Sequence, residues 1–231
     1  MFKTISLLIF LLVFTFGCSK ETRKEYYPAG QLKSSCEYNK EGLLDGICKR
    51  YAETGAIELE EEYKNNILHG KFKEYVFPYR EGQHKNGKWD GVIKAYTENK
   101  KLLLETTYKD GKQDGPWKNY YENGNLKAEC TYKNGKMDGP SKQYYENGQL
   151  QVEVTFKDEK KDGSFKQYYK DGKLETEKTY KDGKQDGLAR EYYENGQLKF
   201  ATTFKNGEDV GPTEEYMENG KFEMETENVP D

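Results

Sequence analysis

The sequence predicts an all-β protein, an elongated single-layer antiparallel meander of stacked β-hairpins. Three observations predict it. Gly91, Gly115, Gly139, Gly163, Gly187 and Gly211 recur every 24 residues, and Gly46 and Gly70 extend the series with one short step of 21 before Gly91. A fixed period means one supersecondary unit copied and stacked. A tyrosine follows each marker glycine by five residues: Tyr51, Tyr75, Tyr96, Tyr120, Tyr144, Tyr168, Tyr192 and Tyr216. Finally, Asn123-Gly124, Asn147-Gly148, Asp171-Gly172, Asn195-Gly196 and Asn219-Gly220 lie between short aromatic or β-branched runs. Such dipeptides supply the positive φ angles of tight hairpin turns.

Taken in order, the chain opens with a basic start, Met1-Phe2-Lys3, an apolar run from Ile5 to Phe16, and then Gly17-Cys18-Ser19. This reads as an export signal over residues 1–17, because the run falls short of the about 20 apolar residues a membrane span needs. A small residue before a cysteine resembles a bacterial lipoprotein processing site, which implies Cys18 as the lipidated first residue of the mature chain. Residues 18–25 then form the anchor and a short polar tether, and residues 26–222 form the repeat array.

Within a unit, the second strand alternates apolar or small residues with polar ones, as in Leu126-Lys127-Ala128-Glu129-Cys130-Thr131-Tyr132. That period of two belongs to a sheet with two different faces. A second aromatic recurs 17 residues after the glycine as Tyr63, Tyr108, Tyr132, Phe156, Tyr180 and Phe204. A second turn, Lys109-Asp110-Gly111-Lys112 or Lys133-Asn134-Gly135-Lys136, links one hairpin to the next, so no long crossover is left for parallel pairing. The unit spanning residues 70–90 lacks three residues and carries Pro78, Arg80, Gln83 and His84; it is expected to kink the array. The acidic residues 223–231 are expected to cap the open sheet edge.

The unit from Asp114 through Gly115-Pro116-Trp117-Lys118-Asn119-Tyr120-Tyr121-Glu122-Asn123-Gly124 to Leu126, Glu129, Tyr132 and Lys133-Asn134-Gly135-Lys136 resembles that of bacterial MORN-repeat variants. The resemblance covers roughly Tyr26 to Glu225, with a partial first copy at Tyr26-Tyr27-Pro28-Ala29-Gly30-Gln31-Leu32. Proteins of this kind are often labelled YwqK-type antitoxins of toxin-antitoxin systems. The resemblance implies a binding scaffold, with no catalytic residues to carry over.

Composition agrees with a thin repeat array. Only 34% of residues are hydrophobic, whereas Tyr (20) and Gly (23) are over-represented, so stacked tyrosines and lysine stems must replace a large core. No singular catalytic constellation stands out. Glu105, Glu129, Glu153 and Glu177 recur because the unit is copied, which points to a charged ladder. His69 stands where most units have Asp before the marker glycine and reads as a turn residue; His84 lies in the irregular unit. The repeated Asp-Gly turns faintly resemble calcium-binding rolls, but turn chemistry explains them, so no metal or cofactor is expected. The net charge of −4 and the mixing of Lys with Glu in every unit oppose nucleic-acid binding.

What remains is surface. Tyr121, Tyr145, Tyr169 and Tyr193 directly follow the first tyrosines, so strand alternation puts them on the opposite face, free to meet a partner. The expected function is a non-enzymatic, exported cell-envelope scaffold, on the outer membrane or cell surface, that binds a protein. The alternatives are an antitoxin or immunity protein that neutralises a toxin, and a binder of membrane lipid or glycan.

Cys36 and Cys48 flank Gly42 symmetrically and can staple the first hairpin if the register sets them opposite; Cys130 has no obvious partner. Alkylation followed by mass measurement tests this: a bonded pair takes up label only after reduction, whereas Cys130 takes it up either way.

Overall fold

The computed structural model describes residues 20–226. Within them the chain is strand and turn throughout, in one 21-stranded sheet. Each strand pairs antiparallel with its sequence neighbour, from Glu21–Tyr26 at one edge to Phe222–Thr226 at the other. A typical unit pairs Lys112–Tyr120 with Leu126–Lys133, which pairs in turn with Lys136–Tyr144. Three strands are split, as in Lys88–Trp89 and Gly91–Tyr96, but both parts lie on the same neighbour.

Both boundaries of the array differ from expectation. Glu21–Tyr26, of which only Tyr26 falls in the expected array and the rest in the expected tether, is the first strand, because Lys24 and Tyr26 hold the unit positions of Lys142 and Tyr144 and pair with Leu32–Tyr38. Phe222–Thr226, assigned in part to a tail, is the last strand, with Glu225 opposite Glu214. Residues 1–19, which include Cys18, and residues 227–231 lie outside the described residues.

The two turn types are the reverse of the simplest reading. Asp110 and Gly111 both have positive φ (51° and 84°) between the paired Lys109 and Lys112, the two-residue mirror-image turn that matches strand twist. In the Tyr121–Asn125 turn only Gly124 is positive, at 90°. There the Gly124 amide donates to the Tyr121 carbonyl (2.9 Å) and the Tyr121 amide to the Asn125 carbonyl (2.9 Å). The Asn123 Oδ1 accepts the Asn125 amide (2.8 Å), so asparagine serves as a side-chain clasp rather than as a left-handed residue. The register shifts by one residue between Asn119 and Tyr120, a bulge that widens this loop.

The marker glycines Gly46, Gly70, Gly115, Gly139 and Gly163 sit in a second irregularity, inside strands rather than in turns. Between Gln113 and Trp117 the register slips, and Gly115 there has φ 125°. A Cβ on Gly115 would lie 3.0 Å from Thr107 Cβ.

The irregular unit, expected to kink the array, keeps the ladder in register. Ile67–Glu74 pairs with Tyr79–Lys85 without a register shift, and Lys73 faces Glu81 as Lys118 faces Glu129. The three missing residues therefore come out of the wide turn and its bulge, between Glu74 and Arg80. His84 lies opposite Gly70 as Tyr132 lies opposite Gly115, so it fills the second aromatic position that sequence spacing left empty.

The two faces differ. Cys36, Phe72, Ile93, Thr106, Thr176, Ala189, Thr202 and Thr213 are buried on one face, and the second aromatics share it. Phe72, His84 and Trp89 form its tightest aromatic cluster, with ring centroids 4.2–5.1 Å apart. Cys36 and Cys48 are direct cross-strand neighbours there and are joined by a disulfide, their Cα atoms 4.0 Å apart.

Gly115→Ala combines the left-handed penalty with the Thr107 contact and is expected to cost about 1–3 kcal/mol. Gly124→Ala meets no atom within 4 Å and should cost less, by urea denaturation.

Candidate binding face

The opposite face carries a row of charges running across the strands. From Lys49 the register reads Glu60, Lys73, Glu81, Lys94, Glu105, Lys118, Glu129, Lys142, Glu153, Lys166, Glu177 and Arg190, alternating in sign at every step. Contacts close to ion-pair distance at Lys49–Glu60 (3.0 Å), Lys94–Glu105 (3.3 Å) and Arg190–Glu177 (3.0 Å). Each exposed pair contributes about 0.2–1 kcal/mol, so the row acts by repetition.

The first tyrosines tie into this row. Tyr96 donates its hydroxyl to Glu81 (2.5 Å), Tyr144 to Glu129 (2.8 Å), Tyr168 to Glu153 (2.8 Å) and Tyr192 to Glu177 (3.0 Å). Burial, and then the adjacent carboxylate, push the phenols of Tyr96, Tyr144 and Tyr168 up to about 12. The Arg190 guanidinium holds Glu177 below the usual carboxylate range, against a smaller opposing effect of burial.

The second tyrosines are latches. The strand ends at Tyr120, so Tyr121 opens the turn and is not bound by strand alternation. Its hydroxyl donates to the Tyr144 carbonyl of the next hairpin (2.8 Å), and the same bond joins Tyr145 to Tyr168 (2.8 Å), Tyr169 to Tyr192 (2.6 Å) and Tyr193 to Tyr216 (2.9 Å). All four are half-buried, so what they offer outward is ring surface. Lys127 and Lys199 lie over the Tyr121 and Tyr193 rings at 5.5 and 5.8 Å.

The repeated aspartates also serve the array: Asp114, Asp162 and Asp186 accept the amides of Asn134 (3.3 Å), Asp182 (3.2 Å) and Asn206 (3.2 Å) in the next turn. Among the described residues no group of three or more His, Cys, Asp or Glu is placed to hold a metal ion. His69 lies in the strand Ile67–Glu74 rather than in a turn. Burial lowers the pKa of His84, whose Nδ1 has no hydrogen-bond partner. Burial raises the Cys130 thiol, which disfavours the reactive thiolate.

Beside the charge row runs a strip that the sequence did not single out. Val92, Pro116, Pro140, Ser164 and Leu188 follow the marker glycines by one residue, face Thr107, Thr131, Thr155, Thr179 and Thr203, and are exposed. Val92 and Leu188 are 42% and 40% exposed. The recurrence was visible in the sequence, but nothing local said which face is packed.

The model of the MORN repeat variant matches residues 22–40, 44–65, 89–110, 113–134, 137–158, 161–182 and 185–206. The chain belongs to the MORN repeat variant family. The irregular hairpin falls between the matched segments, although its ladder register is that of a MORN unit. No curated protein matches the chain. Two solved structures to which it is similar are "Crystal Structure of TcdB2-TccC3" and "Crystal Structure of TcdB2-TccC3-Cdc42". Each aligns at 15% identity over 89% of this chain with a TM-score of 0.18, and this MORN array spans 12% of those chains.

Raised phenol values favour the protonated folded state, so their stabilisation is complete below the ordinary value of 10 and is lost as pH rises through about 12. Thermal melts should fall across that window. In Glu153→Gln the Tyr168 phenol should ionise at lower pH than in wild type, read from tyrosinate absorbance.

Proposed function

We propose that this MORN repeat variant is a non-catalytic binding scaffold of the bacterial cell envelope. It is exported, anchored through a lipid on Cys18, and holds a protein partner against its charge-row face. One observation carries the binding part: the repeated polar groups are already spent within the array. Lysines face glutamates, first tyrosines donate to those glutamates, and second tyrosines donate to carbonyls of the next hairpin. What is left outward is the strip from Val92 to Leu188, apolar and threonine side chains beside a neutralised row, together with half-buried tyrosine rings. Such a mixture of apolar, hydroxyl and paired-charge surface suits a protein better than a polyanion.

The likeness of the unit to YwqK-type antitoxins supports a narrower version, in which the partner is a toxin held inactive in the envelope. Rescue of cells from a toxic neighbouring gene product would favour it. Retention of vesicles or glycans by the isolated repeats would instead favour a lipid or sugar ligand.

In a pull-down with residues 20–231, Val92→Ser combined with Leu188→Ser is expected to abolish partner recovery while leaving the melting temperature near wild type. Changing Tyr121, Tyr145, Tyr169 and Tyr193 to Phe removes four hydroxyl bonds, each contributing about 0.5–1.5 kcal/mol, and should lower the melt while partner recovery persists. Undiminished recovery by the Val92/Leu188 variant sinks the strip. Separately, Cys18→Ser should move the protein from the membrane to the soluble fraction.

A further inference from the structure

We infer that copies of this chain join head to tail through their sheet edges: the last strand of one copy, Phe222–Thr226, adds antiparallel to the first strand of the next, Glu21–Tyr26. The inference goes beyond the partner-binding reading and does not depend on it.

Among the described residues each edge strand pairs on one side only, Glu21–Tyr26 with Leu32–Tyr38 and Phe222–Thr226 with Thr213–Tyr216. Each therefore presents a row of backbone donors and acceptors, and neither contains the proline that blunts natural edges. Direction is compatible. Counting each split strand once, the meander has an even number of strands, so its last strand runs opposite to its first. A second copy thus continues the alternation without inversion.

The register is written in the repeats. At internal junctions the glutamate three residues after the apolar strand start faces the lysine two residues before the first tyrosine: Glu105 and Lys118, Glu129 and Lys142, Glu153 and Lys166. Glu225 stands three residues after Phe222, and Lys24 two residues before Tyr26. The terminal strands therefore carry the two halves of one more junction.

The charge row is unbalanced at both ends in complementary ways. At one end it runs Ala201, Glu214, Glu225, two acids side by side with no cation; at the other it runs Lys24, Ser35, Lys49, cations with no acid between them. Neither Lys24 nor Glu225 has an ion-pair partner within the described residues. Setting Glu225 of one copy opposite Lys24 of the next restores the alternation and covers Phe222 and Met224, which are 54% and 48% exposed. Such a contact joins unlike surfaces, so it propagates as an open row. With one strand pair per contact it is weak and depends on concentration.

Residues 20–231 hold every described strand, and these pair only among themselves, so this segment serves for sedimentation velocity from micromolar to millimolar concentration. Wild type is expected to gain average mass with concentration. Lys24→Glu and Glu225→Lys should each associate about tenfold more weakly, because like charges then face each other. An equimolar mixture of the two variants should recover association, since every junction between unlike copies pairs opposite charges. Unchanged circular-dichroism melts show that the variants fold. A wild type that stays monomeric throughout, single variants that associate as wild type does, or a mixture that stays monomeric would overturn the inference.

Discussion

Among the described residues the sheet has no second layer, so it depends on contacts between neighbouring strands. In this chain those contacts converge on one repeated side chain, the glutamate of the second strand. Glu153 faces Lys142 on one side and Lys166 on the other, and accepts the Tyr168 hydroxyl. It therefore stands between two cationic neighbours in the ladder and holds one phenol, at the sheet surface, which avoids the desolvation cost of a buried ion pair. Each contact is small. The array holds because the same arrangement recurs in register along the sheet, and because the other face adds its own stack of aromatic and small side chains.

Two bulges per unit keep that register. One, at the marker glycine, lets the strand carry extra residues against its neighbour; the other, before the first tyrosine, releases the second tyrosine from strand geometry into the turn. Bulges bend a strand and increase its twist, and here they occur at fixed places in each regular unit. The tyrosine so released reaches the following hairpin, so each wide turn is tied to its neighbour by a hydroxyl as well as by the backbone ladder.

The period, the hairpins, the absence of crossovers and the charged ladder were legible because they follow from local alternation and from turn residues that act within four or five positions. The irregular unit breaks the sequence spacing without breaking the ladder. Its three missing residues disturb sequence spacing, yet Lys73 still faces Glu81 and His84 still fills the aromatic position. Register depends on which residues lie opposite one another, and a shortened loop leaves that unchanged. Strand alternation sends the second tyrosines to an open face, a rule that stops where the strand stops, at Tyr120.

By itself the sequence determined that this protein is a meander of like hairpins, since a fixed period with Asn-Gly and Asp-Gly turns admits few other foldings. Only the tertiary structure decided which face packs, where each tyrosine hydroxyl goes, and which strands are left as edges. Those choices rest on contacts between residues 15 to 23 positions apart, set by bulges that local pattern does not reveal.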